Sequence, residues 1–290
     1  MHATGIPAIV LKSTKSAEAM MTNNTSVQDA LAARFGDAPP VPEIAAPLAD
    51  MAARGVCRLY EDRPVDPDLV RTLAGVALSS PSKSDLQQRD IVIVTDPEIR
   101  AELDRITGFD WQPAAPVLLV FCANHQRFHD CHRLAGVPMA NDHLDGFFNA
   151  AVDAGIALQA FITAAERVGL GCCPLSVLRN QIATVSDLLG LPERVIPVAG
   201  LTVGWPGRPP RIAPRLSLGA TVHENRFAQD RDAGIKEYDA RRGSPPRQRE
   251  IERFGEKDGY GWSDDKARQY ADAQRADFGD FVRAKGFSLE

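Results

Sequence analysis

The chain lacks the features that mark several large classes of protein. Its formal net charge is −5, whereas binding along nucleic-acid phosphates needs clustered positive charge. No apolar run in the sequence approaches the ~20 residues that cross a bilayer. Residues 1–22 hold one short apolar patch and lack the charged start and cleavage site of a signal peptide. We therefore expect neither a nucleic-acid-binding protein nor a membrane protein.

Cysteine is scarce as well, with five residues and no CxxC pair. An odd number without paired spacing does not form the disulfide framework of a small secreted protein, so a reducing cytoplasm fits best. Cys172 and Cys173 are adjacent, and neighbouring residues of a strand point to opposite faces. We predict buried thiols at both positions rather than a disulfide.

A dinucleotide-binding fingerprint is also missing. Gly169 and Gly171 begin a GxG pattern, but position 174 is Pro, and the two glycines follow a predicted helix rather than a strand. The simpler interpretation is a helix C-cap and a sharp turn into the next strand.

What is present indicates an α+β domain with extensions at both ends. The 44% of hydrophobic residues can build a substantial core, and a Pro-rich connector at 37–42 follows an N-terminal helix capped by Thr25 or Ser26. The pattern predicts three units: an extension at 1–42, a core at 43–224 and a charged helical extension at 225–290. Predicted helices are Ala46–Ala53 and Asp66–Leu78, the latter with Val70, Leu73, Val76 and Ala77 on one face, and predicted strands are Ile91–Val94, Val117–Phe121 and Val195–Val203.

The segment from Leu144 to Val168 is apolar around most of a helix. Such a helix is buried on several sides, in a core or in a subunit interface. The charged extension holds few large apolar residues. Its helices can be ordered only by packing on the core or, as we expect, on a partner subunit.

Four motifs carry a resemblance to a known family: Gly169–Asn180, Gly204-Trp205-Pro206, Ala213–Leu216 and Val222–Asn225. With them the chain resembles the nitroreductase family from about Pro47 to its C-terminus, and most closely the oxygen-insensitive, NADPH-using branch. The resemblance implies a central, mostly antiparallel sheet flanked by helices, in an intertwined homodimer that binds FMN.

The resemblance also implies a set of cofactor contacts. Arg54, Gly55, Val56 and Arg58 match a basic-x-Ser-x-Arg signature for the FMN phosphate, with Val56 in place of the Ser. Charged groups that bind phosphate in a cleft make strong hydrogen bonds. On spacing alone, the two arginines are also typical of a solvated helix face.

Two further segments match positions along the flavin. Ser82, Lys83, Ser84 and Gln87 match a loop that bonds its ring and ribityl chain, and without the resemblance they are an ordinary polar loop. A second segment matches the ring face that presents flavin N5, with side chains in place of two usual glycines. It consists of Pro174, Leu175, Ser176 and Val177.

Arginines near the end of the chain complete the predicted contacts. Arg215 matches a second phosphate-binding arginine, while Ala213 stands where a Lys is typical, so Arg208 or Arg211 would supply that charge. Arg242, with Arg247 next, matches the arginine that binds the NADPH 2′-phosphate. Each is equally compatible with a solvated tail.

The implied activity is reduction of nitroaromatics, quinones or flavins with NADPH in a ping-pong cycle at one open cleft. The cofactor carries the redox chemistry, so no side chain is assigned as catalytic. A specialised dehydrogenase or reductive dehalogenase is one alternative, and a flavin-binding dimer without turnover is another.

One cluster lies outside these motifs. His125, His129, Cys131 and His132 form an HxxxHxCH pattern that could bind zinc. The pattern has no partner CxxC or HxxxH, so we predict no metal site here and a surface loop instead, lining the mouth of the active site.

Overall fold

The fold is described from a computed structural model, which covers residues 25–227, 230, 232–243 and 245–290. Most of the predicted N-terminal extension, residues 1–24, lies outside the described residues. Its single helix lies within them and begins where expected. The Ser26 Oγ accepts a hydrogen bond from the Asp29 N–H at 3.1 Å, which caps the helix.

A four-stranded sheet forms the centre of the chain, and every pair in it is antiparallel. Its order is β1-β2-β4-β3. The strands are β1 (Arg89–Val94), β2 (Val117–Asn124), β3 (Gly171–Leu175) and β4 (Val195–Gly204). The three strands predicted from apolar runs are confirmed, as is the antiparallel α+β class.

Helices flank both faces of this sheet. Those before β3 are α1 (Val27–Phe35), α2 (Ala49–Ala53), α3 (Pro67–Leu78), α4 (Pro97–Thr107), α5 (Gln126–Ala135) and α6 (Leu144–Arg167). Those after it are α7 (Ile182–Leu188), α8 (Leu218–Thr221), α9 (Asp232–Arg242), α10 (Gln248–Phe254), α11 (Trp262–Gln269) and α12 (Phe278–Ala284). Short 3₁₀ helices occupy Glu43–Leu48, Lys83–Asp85, Gln112–Ala114 and Val177–Gln181.

The alternation of side chains along β2 explains why both faces of the sheet are covered. Leu119 and Phe121 pack with α3 and α6, and Phe121 meets Phe161 edge to face at 5.9 Å between ring centroids. Leu118 and Val120 point to the other face, where α4 and α7 complete a second core. Cys172 and Cys173 are both buried and free, as predicted, one in each core.

The C-terminal end of the chain packs on its own core, which is one of the two arrangements expected from the sequence. Val282 and Phe287 are buried against Ala150 and Ala154 of α6 and Ile196 of β4. A few well-placed apolar residues therefore anchor this charged segment, which its overall composition could not reveal.

An apolar stripe on α6 remains uncovered in the single chain. Leu144, Phe148, Val152 and Ile156 recur every four residues and are all exposed, with Phe148 at 61%. Val76 of α3, predicted on a buried face, is also 53% exposed. Among the described residues, α6 is the one helix long and apolar enough to cross a bilayer, but its other face packs on the sheet. Contiguous apolar surface of this kind typically marks an interface.

Candidate functional site

A cavity of about 430 Å³ opens beside the C-terminal end of α6. Four of the predicted cofactor residues line it, namely Arg54, Gly55, Val56 and Arg58. Arg208 and Arg211, the predicted substitutes for the missing Lys, line it as well. The structure therefore brings two sequence-distant groups of arginines together around one concave space.

The wall of the cavity is an extended segment held against the sheet edge. The Cys57 N–H donates to the Cys172 carbonyl at 2.9 Å, and Tyr60 bridges to Pro206. Gly55 is required where this wall meets the 208–211 segment, because a Cβ there would lie 2.5 Å from the backbone oxygen of Arg211. This close approach shapes the floor of the cavity, and the helix-face interpretation of Arg54 and Arg58 is wrong.

Arg54 has a charged partner within the cavity. Its guanidinium makes a two-pronged contact with Glu166 of α6, with Nη2 to Oε1 at 2.8 Å and Nε to Oε2 at 2.9 Å. The hydrogen bonds to Glu166 raise the pKa of Arg54. Both side chains keep about a quarter of their surface exposed, 26% and 22%. The pair is therefore open to an incoming anion.

Arg34 of α1 supports the same wall from behind. Its Nη2 donates to the Arg54 carbonyl at 2.6 Å and to the Ala52 carbonyl at 3.0 Å. Burial lowers the pKa of Arg34, and the nearby charges of Arg215 and Arg54 lower it further. The positive charges of Arg34, Arg54 and Arg215 therefore act on one another, and such an arrangement attracts an anion such as phosphate.

Arg58 lies near Trp111 and the Cys173 thiol of β3. Its guanidinium carbon lies 5.9 Å from the centroid of the Trp111 ring. Burial raises the pKa of the Cys173 thiol, and a hydrogen bond from Arg58 partly opposes that rise. Arg58 therefore connects the cavity with the middle of β3.

The predicted Ser82–Gln87 loop lies elsewhere, over the N-terminal half of α6. The Ser82 hydroxyl donates to Oδ2 of Asp153 at 2.7 Å, and the Gln88 N–H donates to the same oxygen at 3.0 Å. Lys83 pairs with Asp145 at 3.2 Å, and both side chains are about half exposed. The loop is therefore fastened to α6 by two carboxylates.

A buried ion pair completes that fastening. Nη1 of Arg89 lies 3.5 Å from Oδ2 of Asp153, with side-chain exposures of only 4% and 2%. The Arg89 guanidinium also donates to the carbonyls of Leu78, Ser80 and Pro81 at 2.6 to 3.0 Å. One buried carboxylate and one buried guanidinium thus satisfy backbone groups at the start and at the end of the loop.

The loop is strained as well as anchored. Ser84, Asp85 and Gln87 adopt φ values of 48°, 57° and 50°, in the left-handed region that favours glycine. Such conformations persist only where the surroundings fix them, and they cluster at ligand-binding sites. The hydrogen bonds to Asp153 supply that constraint here.

The predicted Pro174–Val177 segment ends β3 at the strand terminus remote from the cavity. Pro174 and Ser176 are exposed and Val177 is partly buried, whereas the Leu175 side chain is buried in the core. Leu175 can therefore meet a ligand only through its backbone. Gly169 adopts φ 87° after α6, as the C-cap interpretation predicts.

Three predicted arginines lie outside the cavity lining. The Arg215 N–H donates to the Arg34 carbonyl at 2.7 Å, next to the cationic group described above. Arg242 ends α9, with Nη1 3.1 Å from the Tyr238 hydroxyl, and Arg247 is exposed at the N-cap of α10. The structure brings Arg215 close to the cavity wall, and it leaves Arg242 and Arg247 on the surface of the tail.

The cavity and the Ser82–Gln87 loop occupy separate parts of one chain. Glu166 marks the first and Asp153 the second, and both are residues of α6. The thirteen-residue separation corresponds to about 20 Å of helix rise. Neither carboxylate was predicted from the sequence. A charged residue within an apolar helix could have indicated them, because a buried charge needs a partner.

The histidine pattern is helical, so the prediction of a surface loop is wrong. His125 caps α5, and His129, Cys131 and His132 lie within it. His125 is buried, and Cys131 is exposed. None of the four lines the cavity.

Comparison with known proteins agrees with this architecture. Residues 51–205 match the model of the nitroreductase family, and residues 213–290 match that of the nitroreductase family C-terminal domain. An oxygen-insensitive NADPH nitroreductase of Salmonella typhimurium is 34% identical over 183 residues, which cover 63% of this chain and 75% of that protein.

Solved structures give the same result. Bacillus megaterium NfrA2 superimposes with a TM-score of 0.74 at 31% identity, covering 83% of this chain and 97% of that one. An NADPH:FMN oxidoreductase from Vibrio harveyi, in complex with NAD⁺, has a TM-score of 0.70 at 29% identity, covering 83% and 98%. The fold is that of an α+β oxidoreductase with a single antiparallel sheet. The chain belongs to the nitroreductase family.

Proposed function

We propose that this chain is an FMN-dependent oxidoreductase that takes reducing equivalents from NADPH and passes them to a small-molecule acceptor. The observation that carries the proposal is the cavity in which Arg54, Arg58, Arg208 and Arg211 converge. The relatives named above, an NADPH nitroreductase and an NADPH:FMN oxidoreductase, support it.

The residues present fit an FMN phosphate. A phosphate group carries close to two negative charges near neutral pH, and fixed guanidinium groups hold such charge with strong hydrogen bonds. Gly55 keeps the cavity floor free of a side chain where the 211 backbone approaches. Val56 lines the same space without offering a donor, so the arginines must hold the phosphate without a hydroxyl at that position.

Two copies of the chain would complete the site. The arginine cavity and the loop of Ser82, Ser84 and Gln87 lie at separate places along α6, and the apolar stripe of α6 runs exposed beside them. Docking a second copy on that stripe would cover it and bring the loop of one subunit toward the cavity of the other. A homodimer is therefore part of the proposal.

The side chains would bind and orient, while FMN when bound supplies hydride acceptance and donation. Arg54, Arg58 and Arg215 would hold the phosphate end. Ser82 and Gln87 would meet the ring through hydroxyl and amide groups, and Lys83 would favour negative charge near it. The donor NADPH and the acceptor would use one open cleft in turn, with Arg242 as the contact to the 2′-phosphate.

The acceptors proposed are nitroaromatics, quinones and free flavins, and the location is the cytoplasm. The deciding experiment is an anaerobic titration of the purified, flavin-loaded protein with NADPH, followed by visible absorbance. Bleaching of the flavin band, and its return on adding a nitroaromatic or a quinone, is the expected result. Purified protein that neither retains nor takes up FMN would overturn the proposal.

Bound flavin that NADPH does not bleach would instead leave a flavin-binding dimer without turnover. Sedimentation of the same preparation tests the assembly. A flavin-loaded monomer at micromolar concentration would contradict the shared site, whatever the acceptor.

A further inference from the structure

A second cluster of polar side chains lies where β2 ends and α5 begins. His125 is the N-cap of α5, His129 follows one turn later, and Asp142 comes from the loop before α6. One ligand atom from each of the two histidines and from Asp142 lies within 4.8 Å of the other two. None of the three residues lines the arginine cavity.

Three ligand-type atoms meet there without hydrogen-bond partners. Within the described part of the chain, Nε2 of His125, Nε2 of His129 and Oδ1 of Asp142 are all buried and unsatisfied. His129 and Asp142 approach to 3.5 Å, an ion-pair distance rather than a well-formed hydrogen bond. Buried polar atoms are normally paired, so three unpaired atoms grouped this closely mark a candidate ligand site.

His125 is the most informative member, because its residue is only 2% exposed. The terminal amide of Gln88, itself fully buried, contacts its Nδ1 at 2.5 Å, and Oε1 of Gln88 has no partner. The two ends of an amide are interchangeable in such a contact. With Oε1 turned to Nδ1, the ring donates from Nδ1 and presents the Nε2 lone pair to the cluster, as metal-binding histidines do.

A glycine packs closely against the Nε2 edge of His125. A Cβ on Gly146, in the first turn of α6, would lie 2.6 Å from Nε2 of His125, so any other residue there would crowd this atom. The Phe287 ring stacks on the imidazole at 6.0 Å, and His129 meets it edge-on at 5.1 Å. These contacts hold the imidazole in one orientation.

From this geometry we propose that His125, His129 and Asp142 bind one zinc-like divalent transition metal ion. Two imidazoles and a carboxylate form a three-residue set that leaves coordination positions for water. Imidazole nitrogen favours Zn²⁺ and its neighbours over Mg²⁺ and Ca²⁺, which prefer all-oxygen sites. Bond lengths near 2.0 Å place tetrahedral ligand atoms roughly 3.3 Å apart, so atoms now up to 4.8 Å apart must approach one another on binding.

Charged groups near the site both oppose and favour a bound cation. Burial lowers the pKa of His125 to about 4. The Arg194 guanidinium lies close enough to lower the pKa of both histidines, and it would also repel a cation. Hydrogen bonds from Arg194 to Gln126 and Glu193, both at 3.2 Å, hold that charge in place. The carboxylate of Asp142 offsets it.

The metal would fasten three parts of the chain to one another. Asp142 lies on the loop, both histidines belong to α5 and its cap, and the Leu144 N–H beside the loop donates to the Glu290 carbonyl at 3.3 Å. The inferred role is structural, linking α5 to the start of α6 under the C-terminal residues. It is independent of FMN.

The test is a metal-binding measurement on the full chain, prepared without a polyhistidine tag and stripped with a chelator. Equilibrium dialysis and calorimetry with ZnCl₂ should give one ion per chain, with MgCl₂ as the negative control. Co²⁺ should show the visible absorption of a site with nitrogen ligands. His129→Ala and Asp142→Ala should each weaken Zn²⁺ binding at least tenfold, because each removes one ligand.

Matched controls come from the same helix. His132→Ala and Cys131→Ser should keep wild-type zinc affinity, and both should keep the rise in Tm that Zn²⁺ gives the wild type. Asp142→Ala, on a partly exposed loop, serves if His129→Ala does not fold. No zinc binding at 100 µM, or binding that the triad variants retain, would overturn the proposal; loss in the His132 or Cys131 variants would place the ion elsewhere and overturn it equally.

Discussion

Two positions on α6, Asp153 near its middle and Glu166 at its C-terminal end, each hold a carboxylate paired with an arginine, but in opposite surroundings. Asp153 and Arg89 are almost completely buried and carry the backbone of the 80–88 loop. Glu166 and Arg54 are about a quarter exposed and face an open cavity. A pair with no access to solvent can only hold structure, whereas a pair at a cavity can exchange its partner for a ligand.

Removing the buried carboxylate should produce the largest effect. Asp153→Ala leaves Arg89 charged, buried and without its partner, which typically costs about 3 to 5 kcal/mol. It also removes the acceptor that fixes the left-handed residues of the loop. The free energy of unfolding, measured by urea denaturation followed by circular dichroism, should fall by that amount.

An exposed carboxylate on the same helix is the control. Asp145→Ala removes the half-exposed pair with Lys83 and should cost far less stability than Asp153→Ala. Similar losses in unfolding free energy for the two variants would contradict the comparison, because they would show that burial does not set the contribution of these pairs to stability. If Asp153→Ala does not fold, Asp153→Asn is the substitute, because it keeps the shape of the side chain. It should still show most of the loss in unfolding free energy expected for Asp153→Ala.

The cavity end should respond in ligand affinity rather than in stability. Arg58→Ala removes a charge-assisted contact to the FMN phosphate, worth about 1.5 to 3 kcal/mol. Arg215→Ala should do the same if its guanidinium joins the group formed by Arg34 and Arg54. Fluorescence titration of the apo protein with FMN measures the affinity of both variants. Arg71→Ala, at an exposed position of α3, is the control.

The two arginines test different parts of the assignment. Arg58 lines the cavity, whereas Arg215 lies behind its wall. Loss with Arg58 alone would restrict the phosphate site to the cavity lining. Unchanged affinity in both variants would show that the phosphate binds elsewhere.

The sequence predicted the elements of the fold better than their surroundings. Apolar runs found the three strands, and periodicity found α3 and α6, because these patterns depend on local geometry. The exposure of Val76 and the burial of Phe287 depend on which surfaces meet, and no local pattern encodes that.

The same contrast holds for the residues of the candidate site: some were predicted from the sequence and others were not. Resemblance located Arg54, Arg58 and the Ser82 loop, whereas Asp153, Glu166 and Arg89 were missed because their importance comes from partners 64 to 112 residues away along the chain. The histidine pattern was assigned to a loop because it follows a strand and is polar, whereas the structure places it on a helix; Asp142, which meets two of the histidines, lies outside that pattern.

A smaller effect is expected from the tail, beyond the cavity. If Arg242 contacts the 2′-phosphate, Arg242→Ala should lower kcat/KM for NADPH by about tenfold and leave NADH nearly unchanged. Steady-state kinetics with both donors at one ionic strength would show this, because exposed charges are screened by salt. Equal losses for both donors would mean that Arg242 only orders the tail, and no loss would assign it to the solvated surface.

The smallest effect should come from the Glu166–Arg54 pair at the cavity. Glu166→Gln keeps the size of the side chain and its hydrogen-bonding oxygen but removes the charge that competes for Arg54. Because the pair is reached by solvent, the loss in unfolding free energy should be about 1 kcal/mol or less. The same change should leave FMN affinity unaltered or raise it a few-fold, since a carboxylate near an anion site opposes binding. Urea denaturation and FMN titration of this one variant therefore test both halves of the comparison. A stability loss near that of Asp153→Ala, together with weaker FMN binding, would contradict this. It would show that the Glu166–Arg54 pair holds structure just as the Asp153–Arg89 pair does.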